Sequence, residues 1–293
     1  MPNYSQSTAG VRTGEHRAGR HVSARRWPSA REWCWFALQL LLVCSVQIGE
    51  DSVRGNVFPV GRTEAERNAH RIVHLEQLLH LFVEPAWQSA VLHLHALHGA
   101  LSGALLVRDA NLVYGVLHLA VPGVLAAWVY VARRARFGEL RNTFLWTSIL
   151  ALGGYEFFPA APPRLTSHLM VGGRPYHFVD TMQGVIGDGR MHGVPLAYNA
   201  YSAMPSMHIA WALVVSLMLL RLQRSRILSA AALLYPLLML AVVVLTGSHW
   251  LLDAVGAALD VTAACAIALL WERYKGRRRV VARVGEEAGS RAA

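Results

Sequence analysis

The sequence contains little charge for its length. Only 16% of its 293 residues are charged, whereas 54% are hydrophobic and the mean hydropathy is +0.32. Soluble domains average about 25% charged residues. This shortage of charge excludes an ordinary soluble domain and indicates an integral membrane protein.

Lysine is almost absent from the sequence. Lys275 is the only one, so arginine carries nearly all of the positive charge behind the formal net charge of +10. Such a charge could indicate a nucleic-acid-binding protein, but the arginines cluster in short segments between apolar runs, where positive charge orients membrane helices. We therefore expect the lipid bilayer as a partner, and no nucleic acid.

Patterns typical of metal sites are also missing. The three cysteines lie in apolar runs and show neither metal-site spacing nor a disulfide framework. His93, His95 and His98 lie close together in the sequence, but His93 and His95 would point to different faces of a helix. We expect no metal site and no cofactor.

The sequence contains several apolar runs that are long enough to cross a bilayer. A crossing helix needs about 20 apolar residues. The arginine clusters of the N-terminal tail, of loops 133–141 and 221–226, and after Arg273 fall on one side if all runs cross, and that side is cytoplasmic. The sequence predicts an all-α polytopic membrane helix bundle with six transmembrane helices and both termini in the cytoplasm. The runs lie at roughly 33–49, 111–132, 142–160, 205–220, 227–247 and 250–271.

The segment 72–107 is apolar but also carries several histidines together with Glu76 and Glu84. A seventh crossing here would move the arginines of loop 133–141 to the wrong side of the membrane. We therefore expect an outer interfacial helical segment, formed as an amphipathic hairpin that lies on the membrane or enters it partly.

The ends of the apolar region divide the chain into three parts. We expect a disordered basic cytosolic tail over 1–31, a membrane domain over 32–272 and a cytosolic tail over 273–293. Scarce lysine with abundant arginine and alanine fits a GC-rich bacterial genome. On this basis we expect the protein in the plasma membrane.

Three short stretches that are distant in the sequence carry residues suited to chemistry. The predicted topology places all three at the outer face of the membrane. They are FFPAAPPRL at 157–165, MPSMH at 204–208 and TGSHWLLDAVGAAL at 246–259.

His249 and Asp253 are four residues apart, which places both on one face of a helix. The carboxylate could then accept the Nδ1–H of the imidazole, fix its tautomer and leave Nε2 as a nucleophile. A carboxylate inside a membrane is costly and usually functional. The alternative is a structural pair that joins two helices.

Arg164, Ser206 and His208 complete the candidate site. The planar guanidinium of Arg164 suits phosphate oxygens, although an arginine at a helix end can also be an interfacial anchor. Ser206 could donate a hydrogen bond to a substrate or cap the helix. Pro205 fits a first helical turn, and this places His208 in that turn, with its side chain able to face the outer water.

These stretches resemble the phosphatidic acid phosphatase type 2 superfamily, which includes the vanadium haloperoxidases. Its signatures are Lys, six residues, Arg-Pro; then Pro-Ser-Gly-His; then Ser-Arg, five residues, His, three residues, Asp. FPAAPPRL, FVDTM, AMPSMHIAWA and TGSHWLLDAVGAAL are more similar to the inositol phosphorylceramide synthase-like branch, in which many bacterial members occur. The resemblance covers about 75–270.

The resemblance implies a metal-independent reaction on a membrane lipid phosphate. His249 would form a phosphohistidine, Asp253 would orient it, and His208 would protonate the leaving oxygen. Arg164 and Ser206 would bind the phosphoryl group. Transfer to water makes a phosphatase, and transfer to a polyol or sugar acceptor makes a phosphotransferase. A haloperoxidase and a non-catalytic membrane protein, either a transporter or an inactive relative, are the alternatives.

The sequence departs from the wider superfamily at three cationic or polar positions. Phe157 stands at the lysine position of the first signature, and Val242 and Val243 stand at the Ser-Arg positions of the third. Arg174 and Arg190 are candidate replacements, or simply solvated loop charges. Other residues that could line a head-group or acceptor pocket are Asp180, Thr181, Tyr198, Asn199, Tyr114 and His118.

Overall fold

Long helices formed by the apolar runs make up most of the chain in the computed structural model. The structure describes residues 27–56, 61–93, 103–181, 190–191, 194–195 and 201–292. The helices are α1 (Ala30–Asn56), α2 (Arg62–Leu78), α3 (Glu84–Leu92), α4 (Gly103–Leu112), α5 (His118–Ala132), α6 (Arg134–Phe157), α7 (Met207–Leu222), α8 (Arg226–Leu245) and α9 (Leu252–Ala292).

A π-helical turn, a short 3₁₀ turn (Pro163–Leu165) and two pairs of short strands are the other regular elements of the described residues. A π-helical turn, Val113–Leu117, joins α4 to α5 without a break. Antiparallel pairs of short strands lie between α6 and α7. They are β1 (Leu169–Val171) with β2 (Arg174–Tyr176), and β3 (Arg190–Met191) with β4 (Val194–Pro195).

In the described part of the chain, three helical segments are long and apolar enough to cross a membrane. They are Asp109–Ala132, Arg226–Leu245 and Leu252–Gly276, and Met207–Leu222 is a shorter apolar helix. They correspond to four of the six predicted apolar runs. The membrane-protein assignment is therefore confirmed, whereas the crossings by α1, α6 and α7 stay predictions.

The core of the bundle surrounds α7. This helix packs against α5, α6, α8 and α9. Val214 and Val215 are fully buried, and Trp211 contacts the ring of Phe144 from α6. An apolar helix with neighbours on several sides is buried nearly all round, which explains why α7 lacks an amphipathic pattern.

Polar contacts join several helix ends at one end of the bundle. They involve the start of α1, the start of α6, the end of α7 and the polar part of α9. The contacts are Arg134 with Glu32 at 2.8 Å, Arg221 with Glu139 at 3.4 Å, and Asn142 with Glu272 at 3.3 Å. The arginine clusters that were used to predict the topology therefore lie at a common end.

A second, smaller apolar cluster forms at the opposite end, where α2 packs against the α6–α7 connection. Ala65 and Ala69 of α2 are fully buried there, and the carbonyl of Ala65 accepts the backbone N–H of Ala161 at 3.0 Å. Trp250 is also fully buried, and its indole N–H donates to the carbonyl of Ala161 at 2.9 Å. This cluster supports the loops that carry the site.

The predicted outer segment begins earlier than expected. We predicted a helical hairpin over 72–107, but α2 starts at Arg62, because its first two turns are polar and were not part of an apolar run. The described portion of the segment consists of the end of α2, α3 and the start of α4, and α2 and α3 contact the site loops. His95 and His98, like residues 1–26 of the predicted tail, lie outside the described residues.

Candidate active site

Backbone hydrogen bonds hold the three predicted stretches together. Each of the three is linked to another one at the ends of α6, α7 and α9. The N–H of Arg164 donates to the carbonyl of Gly247 at 3.0 Å, that of Ala203 to Ala160 at 3.3 Å, and that of Ser206 to Asp253 at 3.2 Å. The three stretches therefore form a single site, although the first begins at residue 157 and the last ends at residue 259.

The spacing predicts His249 on the same helix as Asp253, but His249 lies in the loop before α9. The helix begins only at Leu252. The loop nevertheless turns the ring so that its Nδ1 is 2.8 Å from the carbonyl oxygen of Ala203 and 3.3 Å from Oδ2 of Asp253. Both partners are acceptors, so the proton of the neutral ring lies on Nδ1, and Nε2 has the lone pair.

Asp253 has a second contact that the sequence did not suggest. It is completely buried in the first turn of α9, and its Oδ2 accepts the backbone N–H of Trp250 at 2.8 Å. The carboxylate therefore binds both the ring of His249 and the backbone just beyond it. A carboxylate in this position is also favoured by the partial positive charge of the helix N-terminus.

Ser206 is the N-cap of α7. Its Oγ accepts the N–H of Ile209 at 3.5 Å, and the residue is fully buried. Helix α7 then begins at Met207, which places His208 in the first turn, as predicted. The ring of His208 lies 5.7 Å from that of His249 between centroids, at an interplanar angle of 57°.

Two residues of the α4–α5 helix surround the His208 ring. Tyr114 lies 3.8 Å and His118 4.0 Å from it between ring centroids. Tyr114 belongs to the π-helical turn, and His118 follows it directly. Single π-helical turns often occur at functional sites because the extra residue changes the direction of the side chains. Both residues were predicted only as candidates for a pocket lining, and in the structure their rings pack against that of His208.

Arg164 is held in place by polar contacts. It lies in the short 3₁₀ turn Pro163–Leu165, and only 5% of its side chain is exposed. Its Nη1 donates to Oγ of Ser248 at 3.0 Å, and its Nε is 3.7 Å from Oδ1 of Asp180. The guanidinium is therefore fixed next to the loop that carries His249.

The close approach of Arg164 depends on Gly247. This glycine has a φ of +63°, which L-residues with side chains rarely adopt. A Cβ at this position would lie 3.3 Å from Nε2 of Gln88 and 3.5 Å from Cβ of Arg164. Both its backbone conformation and its surroundings therefore require a residue without a side chain.

Glu76 and Glu84 bind the same loop, a contact that was not predicted. Oε1 of Glu84 accepts the N–H of Leu251 at 2.8 Å, and Oε1 of Glu76 accepts the N–H of Leu252 at 2.8 Å. Both glutamates are fully buried. Burial, followed by the negative charge of Glu84, raises the pKa of Glu76 to about 9.

Three consecutive N–H groups at the start of α9 are thus bound by three different carboxyl groups. Two of these groups come from α2 and α3, at sequence separations of 176 and 167 residues. A single sequence does not reveal such distant partners. The only available signal was the presence of two acidic residues in an apolar segment.

The three positions at which a cationic or polar residue of the superfamily signatures is replaced lie in different environments. Phe157 ends α6 with 87% of its surface exposed, whereas Val242 and Val243 are buried near the end of α8. The carbonyl of Val243 accepts the N–H groups of Ser248 and His249 at 3.0 and 3.2 Å. The backbone at this position thus supports the site loop without a cationic side chain.

The predicted outer-loop residues have different outcomes. Asp180 lies beside Arg164, as described above. Arg174 is exposed in β2. Arg190 lies in β3, and its side chain is outside the described part of the structure, as are Tyr198 and Asn199 altogether. Among the described residues, no three His, Cys, Asp or Glu side chains form a group that could hold a metal ion.

Comparison with known proteins identifies the family. The family model for the PAP2 superfamily matches residues 70–267, which is more than half of the chain and includes every described site residue named above. Comparisons with curated proteins and with solved structures gave no match. Members of the superfamily are phosphoesterases, which supports an enzyme of the phosphatase type. The chain belongs to the PAP2 superfamily.

Proposed function

We propose that this protein is a membrane enzyme that cleaves a lipid phosphate ester through a phosphohistidine on His249. The observation that carries the proposal is the environment of the His249 ring. Two acceptors, the carbonyl of Ala203 and the carboxylate of Asp253, face Nδ1 and leave the lone pair on Nε2. A histidine fixed in this tautomer is a nucleophile for phosphorus.

In the first step, Nε2 of His249 attacks the phosphorus atom of the bound lipid phosphate. An N–P bond forms while the P–O bond to the lipid alcohol breaks. His208 gives a proton to the leaving oxygen. Arg164 balances the charge of the phosphoryl oxygens, which is the main requirement of phosphoryl transfer.

The second step resolves the phosphohistidine. A hydroxyl group attacks the phosphorus atom and gives its proton to His208, and the N–P bond breaks to restore Nε2. Water as the attacking group makes the enzyme a lipid phosphatase. A polyol or sugar hydroxyl makes it a phosphotransferase of the inositol phosphorylceramide synthase type, which is the branch that the motifs resemble.

The arrangement of the His208 and His249 rings supports the proposal that both contact the same phosphoryl group. At a centroid distance of 5.7 Å, the rings of His208 and His249 are too far apart to stack, and they are tilted by 57°. They can therefore contact one phosphoryl group from two directions. Packing against Tyr114 and His118 limits rotation of the His208 ring, which would keep the proton donor in place.

We also propose six membrane crossings, with the site at the outer face of the plasma membrane and both termini in the cytoplasm. The crossing elements would be α1, the continuous helix formed by α4 and α5, α6, α7, α8 and the first part of α9. The arginine-rich helix ends lie at a common end of the bundle, opposite the site loops. Positive charge at one end favours its retention in the cytoplasm.

The proposal is tested by phosphate release from a panel of lipid phosphates, using purified full-length protein in the presence of a chelator. We expect the wild type to release phosphate and His249→Ala to lose the activity by more than about a thousandfold. His177→Ala, which replaces an exposed histidine of the α6–α7 connection, is the control and should keep full activity. A lipid phosphate with a radiolabelled phosphoryl group should form an acid-labile adduct with the wild type and not with His249→Ala.

The other outcomes separate the remaining functions. If the wild type releases no phosphate but transfers labelled phosphate to inositol or another polyol, the enzyme is a transferase. If neither reaction occurs and no phosphoenzyme forms, the phosphohistidine proposal is wrong, and a non-catalytic membrane protein becomes the better interpretation.

A further inference from the structure

A groove between α6 and α9 lies next to the segment that precedes α7, outside the phosphoryl-binding residues. Its volume is about 490 Å³, which is within the usual range for small-molecule sites. Arg164, His208 and His249 do not line it. The lining residues include Leu150 and Gly154 of α6, Met204 and Pro205 of the segment that precedes α7, and Leu259 and Asp260 of α9.

The groove is apolar except for a single acidic side chain. Asp260 is only 9% exposed, and neither of its carboxyl oxygens has a hydrogen-bond partner among the described residues. It lies within the segment Leu252–Gly276, which is long and apolar enough to cross a membrane. An acidic side chain at such a place is costly, and membrane proteins usually retain one for a partner.

The position of Asp260 relative to the reaction centre follows from helix geometry. Asp260 is seven residues beyond Asp253 on α9, which corresponds to two turns and about 10 Å along the helix axis. The two carboxyl groups therefore face nearly the same direction at different levels. Asp253 binds His249, whereas Asp260 faces the groove.

Two glycines, one in α6 and one in α9, allow the segment that precedes α7 to pack closely against these helices. A Cβ on Gly154 would be 2.5 Å from Cδ of Pro205, and a Cβ on Gly256 would be 3.3 Å from Cε of Met204. The segment 204–205 is therefore packed directly onto α6 and α9, and it forms one boundary of the groove. The same segment lies between Ala203, which binds His249, and Ser206, which caps α7.

We propose that this groove binds a neutral membrane amphiphile whose hydroxyl or amide N–H donates a hydrogen bond to Asp260. The apolar lining suits an acyl chain, and Leu259 at its edge is 68% exposed, as expected for a side chain that faces lipid. The carboxyl group selects for a donor and disfavours a phosphate. The ligand is therefore distinct in charge from the phosphate-bearing substrate, and its binding does not depend on the proposed reaction.

Photocrosslinking of the full-length protein in detergent micelles tests this proposal. The probe is a monoacylglycerol with a diazirine in its acyl chain, and labelled peptides are identified by mass spectrometry. We expect labelling of α6 and α9 around residues 150–158 and 256–263. Unlabelled monooleoylglycerol should compete, whereas methyl oleate, which has the same chain and no donor, should compete about 5- to 10-fold less well.

Two variants distinguish the carboxyl group from the groove. Asp260→Ala should reduce labelling about 5- to 10-fold, because the donor loses its acceptor, and Asp260→Asn should retain more of it, because the amide carbonyl still accepts. Leu259→Ala, with the carboxyl group intact, should label nearly as well as the wild type. Each variant is first checked by its elution volume and its unfolding temperature.

Three results would overturn the proposal. Equal competition by methyl oleate, or unchanged labelling of Asp260→Ala, would mean that the groove contacts acyl chains without recognising a donor. Crosslinks that join two protein chains at the same peptides would mean that a second copy covers the groove. An absence of labelling from this region would mean that no such lipid binds there.

Discussion

Glu76 is a buried acid outside the membrane-crossing helices, and its protonation should make the stability of the protein depend on pH. Burial and the neighbouring charge of Glu84 raise its pKa from 4.5 to about 9, and the carboxylate of Asp253 acts in the same direction. Between these pH values, folded Glu76 holds a proton that unfolded Glu76 has released. Unfolding therefore releases a proton, and rising pH favours unfolding.

We expect the unfolding temperature of the wild type to fall as the pH is raised from 5 to 9. Glu76→Gln cannot titrate, and its Oε1 can still accept the N–H of Leu252. Its unfolding temperature should change less over the same pH range. Parallel curves for the two proteins, measured by scanning fluorimetry in one detergent, would contradict the assigned protonation of Glu76.

At the scale of elements, the start of α9 is fixed by acceptors from other helices. Glu84 of α3 binds the N–H of Leu251, two residues beyond His249. Removing this acceptor leaves the partly buried N–H group of Leu251 without its partner and loosens the loop that holds the proposed nucleophile. The side chain of Glu84 would thus act as a positioning group rather than in the chemistry itself.

We expect Glu84→Ala to lower kcat for phosphate release about tenfold with little change in KM, because loss of the acceptor of a partly buried N–H costs about 1 kcal/mol or more. Glu84→Gln keeps an acceptor oxygen and should restore most of the rate. Glu64→Ala, which removes an exposed glutamate from the first turn of α2, is the matched control. If Glu84→Gln is as slow as Glu84→Ala, or if only KM changes, the positioning role is wrong.

The elements also show which parts of the structure could be predicted from the sequence. The apolar runs at 111–132 and 227–247 end within two residues of the corresponding helix ends, because hydropathy reflects the environment of a helix. The start of α9 was placed two residues too early, at position 250. Apolar residues continue through Trp250 and Leu251, whereas the helix start depends on backbone groups that bind Glu76, Glu84 and Asp253.

The candidate site was predictable to a similar extent. His208, His249 and Asp253 could be proposed as site residues because each belongs to a short motif with characteristic spacing. Their contacts with Tyr114, Glu76 and Glu84 were not, because those partners belong to other helices and have no fixed spacing from the motifs. The polar start of α2 was missed for a related reason, since a helix that packs through Ala65 and Ala69 presents little hydropathy signal.

At the scale of the whole molecule, the proposed topology rests on the separation of the arginine-rich end from the site end. Met170 is 52% exposed in β1, on the α6–α7 connection that belongs to the site end. Gln223 follows α7 at the arginine-rich end, next to Arg221 and its partner Glu139. The two positions should therefore lie on opposite sides of the membrane.

Cysteine labelling measures this directly in a variant whose three native cysteines are replaced by alanine. In intact spheroplasts of a bacterial host, a membrane-impermeant maleimide should label Met170→Cys and leave Gln223→Cys unlabelled until the cells are lysed. The reverse result would place the site in the cytoplasm, and it would restrict the enzyme to lipid phosphates of the inner leaflet. In the proposed topology, α7 is the one crossing between residues 170 and 223. If both positions were labelled in intact spheroplasts, they would lie on the same side of the membrane, and α7 would not cross it.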